Sequence, residues 1–531
     1  MKRLFSRRQF LATTAAAAAT SRLALSQEGI PEDSTEVRRY HLCMPVDVLE
    51  ANPGLVDTFR EAGVDQLWLA AFFYGFWPYP REQLTRWRKR IMDAGMAAEY
   101  VNIPLGHPGD SLGSKEEAFP LTPPEHWRMA VATNGATYSG TSLHAPATAE
   151  NAEAIRVLDG MGARTVFLDD DFRLARGPGV IGGCFCDEHK RAFLDKGGFD
   201  DSKWDELLAD IASRNLTSLT RAWVESTCDQ LTGCFRAQQE AAPNIELGNM
   251  IMYLGAEKAG IRLADYKDVP VRVGELMFND ASFQPTKGKT NELFSALFHR
   301  RFVRPELAYS ETTAFPADKL SVENLAAKLV VSTIADVRNT MFMSGVTPFP
   351  FSYWDILPGA MQEQAAMHRR IAGHQPAGPL KHYWGEASRY VGDDNPYSLF
   401  LALGVPFEVT DSPAEDGWTF LSDADAAHAA GGQLASPGTT FVGRTENGGI
   451  HGVPEDMAAL FEFRRGILPS LNAIPHVVEE KPAVCAWYPE AGAVLVWNLA
   501  ETAETLHLQF KDELRETTLG PLEAKLVDLS V

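Results

Sequence analysis

Short apolar runs alternate with longer stretches whose apolar positions recur every three or four residues, and the alternation persists for about 320 residues. A continuous apolar run suits a strand buried on both faces; the three-or-four spacing suits a helix that lays one face upon it. The strand-like runs are 40–45, 66–72, 98–103, 165–168, 245–252, 271–277, 307–310 and 340–346. The helical stretches are 55–62, 81–94, 149–161, 204–241, 291–301 and 322–337. Two of them stop at Ala-Gly, at Gly63 and Gly95, before the next run begins. Eight strands separated by helices predict an α/β fold, a (β/α)8 TIM barrel over 36–375. Segments 128–133 and 141–144 also look strand-like and are placed in an excursion after the third strand; a doubly wound open sheet is the competing topology.

The texture changes beyond residue 375. Pro376-Ala-Gly-Pro379 reads as a linker. Runs at 397–403, 404–410 and 419–421 predict a small α/β, Rossmann-like domain over 380–475. Short alternating runs at 493–497, 505–510 and 524–529 predict a C-terminal antiparallel β-sandwich over 483–531.

The first 26 residues stand apart. Ser6-Arg7-Arg8-Gln9-Phe10-Leu11 precedes an alanine-rich stretch and a small-residue site at Ala24-Leu25-Ser26. Basic segment, short apolar segment and cleavage site predict a twin-arginine signal peptide, hence export of folded protein to the periplasm or beyond. A membrane anchor is the alternative, but the apolar run falls well short of the roughly 20 residues a bilayer requires. No second long apolar run follows, so no integral membrane segment is expected after cleavage. Lys and Arg number 49 against 70 Asp and Glu, a net charge of −21. Such a surface repels phosphate backbones, which excludes nucleic acid as a natural partner.

In a barrel of this kind the reactive groups sit at the C-terminal ends of the strands. The fourth run leads directly into Asp169-Asp170-Asp171-Phe172-Arg173, and the seventh ends at Glu311. Two carboxylates across a barrel mouth can flank a glycosidic bond, one giving a proton to the leaving oxygen while the other attacks the anomeric carbon. The acidic triplet alone also suits a divalent cation or a helix cap. Aromatic residues follow other strands. Phe73, Tyr74 and Trp77 lie in the run after the second, and Trp354 lies in a cluster after the eighth. Placed at a mouth they would form walls on which sugar rings stack. Strand ends further supply His41, Asn102, Asn249, Glu275, Asn279 and Asp280.

Leu168-Asp-Asp-Asp171-Phe172, followed by Gly183-Cys-Phe-Cys-Asp-Glu-His189 and Ala192-Phe193, resembles family 42 of the glycoside hydrolases, the β-galactosidases. That family reads Asp-Asn-Glu-Tyr at the end of its fourth strand, then Cys-x-Cys-x-x-Cys and a Phe-rich helix. Tyr-Ser-Glu311 with Pro316 is similar to its nucleophile strand. The similarity spans about residues 36–370 and extends to the wider clan of retaining barrel hydrolases. It implies hydrolysis of oligosaccharides or glycosides by double displacement, with Glu311 as nucleophile, Asp171 as acid/base and no cofactor needed for catalysis. Substrate contacts would come from Asp169, Asp170, Arg173, Phe73, Tyr74, Trp77, Asn102, Asn249, Glu275 and Trp354. Two departures stand out. Asp171 is one methylene shorter than the family's Glu, and Asp170 replaces the Asn that holds the sugar 2-hydroxyl. They keep open a catalytically decayed, glycan-binding barrel; the acidic triplet likewise keeps open a divalent-metal lyase or isomerase.

Six cysteines are present, and disulfides are the default in an exported protein. Cys184-x-Cys186 is too tight for an easy bridge. Cys184, Cys186 and His189 have zinc-ligand chemistry, and the resembled family carries zinc at this segment. His107, His126 and Asp187 are the candidates for a fourth ligand of such a structural zinc. A module after residue 375 resembles one that trimerises in that family, which implies a homo-oligomer.

Overall fold

Eight parallel strands close on themselves in chain order: β1 (Arg39–Met44), β2 (Gln66–Phe73), β3 (Ala97–Ile103), β4 (Thr165–Leu168), β5 (Glu246–Ile251), β6 (Val271–Val273), β7 (Ala308–Thr313) and β8 (Asn339–Met343). The closing pair is β1 with β8, Arg39 lying opposite Asn339. Each of the eight runs assigned to the barrel contains a strand, and closure sets the open doubly wound sheet aside. The protein is represented by a computed structural model that describes residues 38–105, 123–137, 143–169, 172–175, 177–251, 254–274, 277–345, 347–446, 448–453, 455–471 and 473–529. The export signal expected over 1–26 lies outside the described residues.

Strand alternation divides the barrel residues into two sets. Leu42, Leu67, Leu69, Tyr100, Val166 and Leu168 join the main core beneath the surrounding helices. The residues between them, Cys43, Trp68, Val101, Phe167 and Met341, fill the lumen with Tyr309 and Met343 packed against them. Trp68, Phe167 and Tyr309 meet edge to face at 4.8–6.3 Å between ring centroids. The lumen is therefore a packed apolar plug, and whatever lies above it rests on a dry floor.

The single helix expected over 204–241 is two, Ser202–Ser213 and Ser218–Ala241. Arg214 takes a left-handed conformation at the break (φ 55°). Its guanidinium donates to the carbonyls of Val391, Gly392 and Gly179 at 2.7–2.8 Å. Thr217 then caps the second helix by accepting from the Thr220 amide. Segment 128–133 forms no barrel strand, and residues 141–142 of the other segment lie outside the described residues. Among the described residues there, one antiparallel bridge joins Val131 to Thr137.

Beyond the barrel, β9 (Leu380–Tyr383), β10 (Phe407–Thr410), β11 (Trp418–Leu421), β12 (Thr440–Gly443) and β13 (His451–Gly452) form a parallel sheet in the order β10-β9-β11-β12-β13. The run at 397–403 is a 3₁₀ turn, Ser398–Ala402, rather than a strand. The strand order reverses between β9 and β11, where doubly wound sheets hold their ligands. Here the buried carboxylate of Asp425 occupies that crevice. It accepts from the Gly385 amide at 2.9 Å and from the Ser388 hydroxyl.

Two three-stranded antiparallel sheets complete the molecule: β14 (His476–Val477), β17 (Glu504–Phe510) and β18 (Glu513–Leu519) in one, β15 (Ala483–Tyr488), β16 (Ala493–Asn498) and β19 (Ala524–Asp528) in the other. Val477, Cys485, Val494, Val496, Leu506 and Leu508 form a core of their own between them. The sandwich starts at His476, before the expected boundary. The supposed linker at 376–379 is fixed in place: Ala377 donates to the Trp487 carbonyl at 2.9 Å, and a Cβ on Gly378 would meet Pro406 backbone at 2.1 Å. No helix among the described residues is long and apolar enough to cross a membrane.

Candidate active site

Alternation that puts Phe167 in the lumen also puts Asp169, two residues on, into the mouth above it. The same rule carries Tyr309 to Glu311 and Thr313 on β7. On β6, only three residues long, it leaves one inward side chain, Arg272. All three charged groups are buried, Arg272 and Asp169 completely. Arg272 Nη1 donates to Asp169 Oδ1. Its Nη2 lies 3.7 Å from Glu311 Oε1 and donates to Thr313 Oγ1 at 3.3 Å. The Thr313 hydroxyl in turn donates to Glu311 Oε1 at 3.5 Å. One guanidinium thus lies between two carboxylates from opposite parts of the barrel. Cys43 adjoins the group from β1, and burial pushes its thiol up to about 12, so it stays protonated and adds no charge.

The sequence-predicted residues divide into three sets. Glu311 and Asp169 come together, through an arginine that carboxylate-seeking logic did not single out. Asp170, Asp171 and Glu275 lie outside the described residues. The others are engaged elsewhere or buried. Asn102 Oδ1 accepts from the Phe72 amide at 3.1 Å, beside the register shift between β2 and β3. Asn249 Oδ1 accepts from the Met250 amide. Arg173 is buried. Phe73 and Tyr74 are buried where a two-residue turn, Tyr74-Gly75, reverses the chain. Both turn residues have positive φ, as such a turn demands. Trp77 is half-buried, one face against Phe72 at 5.4 Å and the Arg81 guanidinium 5.0 Å from its ring. Trp354 packs on Phe59, Phe342 and Phe349 and belongs to the core.

Further strand-end residues prove structural. His41 sits in the lumen, accepting from Trp68 Nε1 at 3.2 Å, and burial drives its imidazole down to about 3. Asn279 caps the turn Asp280–Phe283 with a reciprocal bond to Ser282. Asp280 Oδ1 accepts from the amide and hydroxyl of Ser321 and from Asn324 Nδ2.

Cys184, Cys186 and His189 converge, and His144 completes the group: their ligand atoms all lie within 4.8 Å of one another. The sequence offered His107, His126 and Asp187 for that fourth place. His107 lies outside the described residues, and His126 pairs with Glu150 at 2.6 Å. His144 was hidden because it precedes the helix Ala145–Gly160 by one residue, more than 39 positions from Cys184. Tetrahedral zinc would set its ligand atoms about 3.4–3.8 Å apart. The group needs only a small contraction to fit, and burial holds both imidazoles below their ordinary range, toward the neutral form that a metal binds.

No protein-family model matches the chain, and no curated protein matches it in sequence. Solved structures do share its architecture. A family 42 β-galactosidase from G. stearothermophilus, in a catalytic-mutant form, aligns with a TM-score of 0.60 at 11% identity, covering 93% of this chain and 99% of that one. A β-galactosidase from the psychrophilic Marinomonas ef1 aligns with a TM-score of 0.58 at 9% identity, over 92% of this chain and 99% of its own. The cold-adapted β-galactosidase of Rahnella sp. R3 aligns with a TM-score of 0.55 at 10% identity, over 93% and 98%. At such identities the likeness is one of fold, and it extends along nearly the whole length of this chain and of theirs.

Proposed function

We propose that the protein is an exported retaining β-glycosidase of the β-galactosidase type, acting on oligosaccharides or glycosides. One observation carries the reading: Glu311, buried at the C-terminal end of β7, faces the acidic end of β4 across the mouth of a closed barrel. In this mechanism Glu311 attacks the anomeric carbon while Asp171 protonates the leaving oxygen. Asp171 then deprotonates the water that releases the sugar with its configuration retained. Such a pair works at about 5–5.5 Å separation.

The test is turnover of a panel of aryl β-glycosides by wild type and Glu311→Ala. Wild type should hydrolyse at least one, and the variant should lose on the order of 10³-fold or more. Added azide should restore release of the aryl group from Glu311→Ala and give a glycosyl azide of inverted configuration. Activity that survives the substitution eliminates the mechanism. The shorter Asp171 favours a second reading, a barrel that binds glycans without cleaving them. Calorimetric binding with no product over long incubation would establish it. A divalent-metal lyase is less well supported, because Asp169 is committed to Arg272.

His144, Cys184, Cys186 and His189 hold a structural zinc in this reading, outside the catalytic steps. Twin-arginine export suits it, since that route carries protein already folded around its metal. Periplasmic recovery that is lost when Arg7 and Arg8 are both replaced by lysine would confirm the route.

A further inference from the structure

Asp169 and Glu311 both project from lumen-facing positions above an apolar plug. In that setting two carboxylates resist being ionised together unless a fixed positive charge lies between them. Arginine is the side chain that cannot escape by deprotonation, and its planar fork can address two partners at once. Arg272 does so, with Nη1 toward Asp169 and Nη2 toward Glu311, and with Thr313 filling the angle between Nη2 and Glu311 Oε1.

We propose that Arg272 is the positioning residue of this site: it aims and charges Glu311 through Nη2 and Thr313, while Asp169 anchors the guanidinium instead of binding sugar. The inference rests on the glycosidase reading only for the step that Glu311 performs. Among the described residues, the charged and titratable groups around Glu311 include Arg272 from β6, Asp169 from β4 and Cys43 from β1, while β8 turns Met341 and Met343 inward. Asp170, Asp171 and Glu275 adjoin these strands in sequence and lie outside the described residues, so the test compares variants with wild type.

The full chain labelled with 13C at the glutamate carboxyls gives a direct readout. The Glu311 signal is the one missing from Glu311→Gln. Arg272→Met should raise its titration midpoint by about one pH unit or more, because the carboxylate loses its cationic neighbour. On an aryl glycoside that wild type hydrolyses, the same variant should lose about 10²-fold in kcat with KM little changed. The acid limb of its pH profile should move upward. Arg272→Lys keeps the charge and loses the fork, so kcat should fall while the acid limb stays. Asp169→Asn should lower kcat without raising the Glu311 midpoint. Thermal melts establish that each variant is folded. An unmoved midpoint in folded Arg272→Met overturns the proposal. If that variant does not fold, wild-type kcat in both Arg272→Lys and Asp169→Asn overturns it. Absence of turnover in wild type, with the midpoint still shifting, would remove the glycosidase reading and leave the charging role intact.

Discussion

A histidine buried in neutral form carries a pH dependence that can be written down from its surroundings. Burial drives both His41 and His382 down to about 3, and neither is accessible to solvent. Both protonate near 6.5 once the chain unfolds. Between pH 6.5 and 3 the unfolded state therefore binds protons that the folded state refuses. Stability falls as pH falls through that window, by about 1.4 kcal/mol per pH unit for each site. Urea midpoints measured from pH 6 down to pH 4 should show the slope, and His382→Leu should remove one site's share of it; an unchanged slope would refute the assignment. At this scale the sequence was partly legible. Carboxylates at strand ends announce themselves, so Glu311 and Asp169 could be found. Arg272 could not be found by that rule, because a cation inside a barrel makes sense only once two anions are known to face it. The aromatic runs misled for a related reason: nothing in Phe73, Tyr74 or Trp354 tells which side of the turn each ring will occupy.

Elements were easier to read than residues, because burial on both faces leaves a continuous apolar run. The helix Thr286–Arg300 shows where the reading stopped. Nearly its whole circumference is buried. Phe294 meets His382, on β9 of the parallel sheet beyond the barrel, at 4.6 Å and Trp384, just after that strand, at 5.7 Å. Arg301, at its end, donates to the Val409 carbonyl. A barrel cut at residue 375 would expose this face, at about 1.5–3 kcal/mol for each large apolar side chain. The fragment 38–375 should accordingly be insoluble or lack a cooperative melt, and a cooperative melt would show the barrel to be independent. A second tie is the buried ion pair between Lys258 and Asp394. Asp394→Ala leaves that lysine buried without its partner and should cost about 3–5 kcal/mol in urea denaturation. A loss below 1 kcal/mol would mean that solvent reaches the lysine.

Across the whole molecule, His144 belongs to the connection after β3, whereas Cys184, Cys186 and His189 belong to the one after β4. Metal there would pin two long connections that border the mouth. Purified protein should contain one zinc per chain by elemental analysis. Cys184→Ser or His144→Ala should lose it and lower the melting temperature, as chelation should in wild type. Protein that is metal-free as isolated, yet as stable as after zinc is added, would count against the site. The crevice of the parallel sheet has the opposite character. Asp425 occupies the place where related topologies admit an exchangeable ligand, and an occupant joined to the chain has no dissociation rate. The state of that module therefore cannot follow the concentration of any small anion competing for the crevice. It is a seat permanently taken by the chain's own carboxylate.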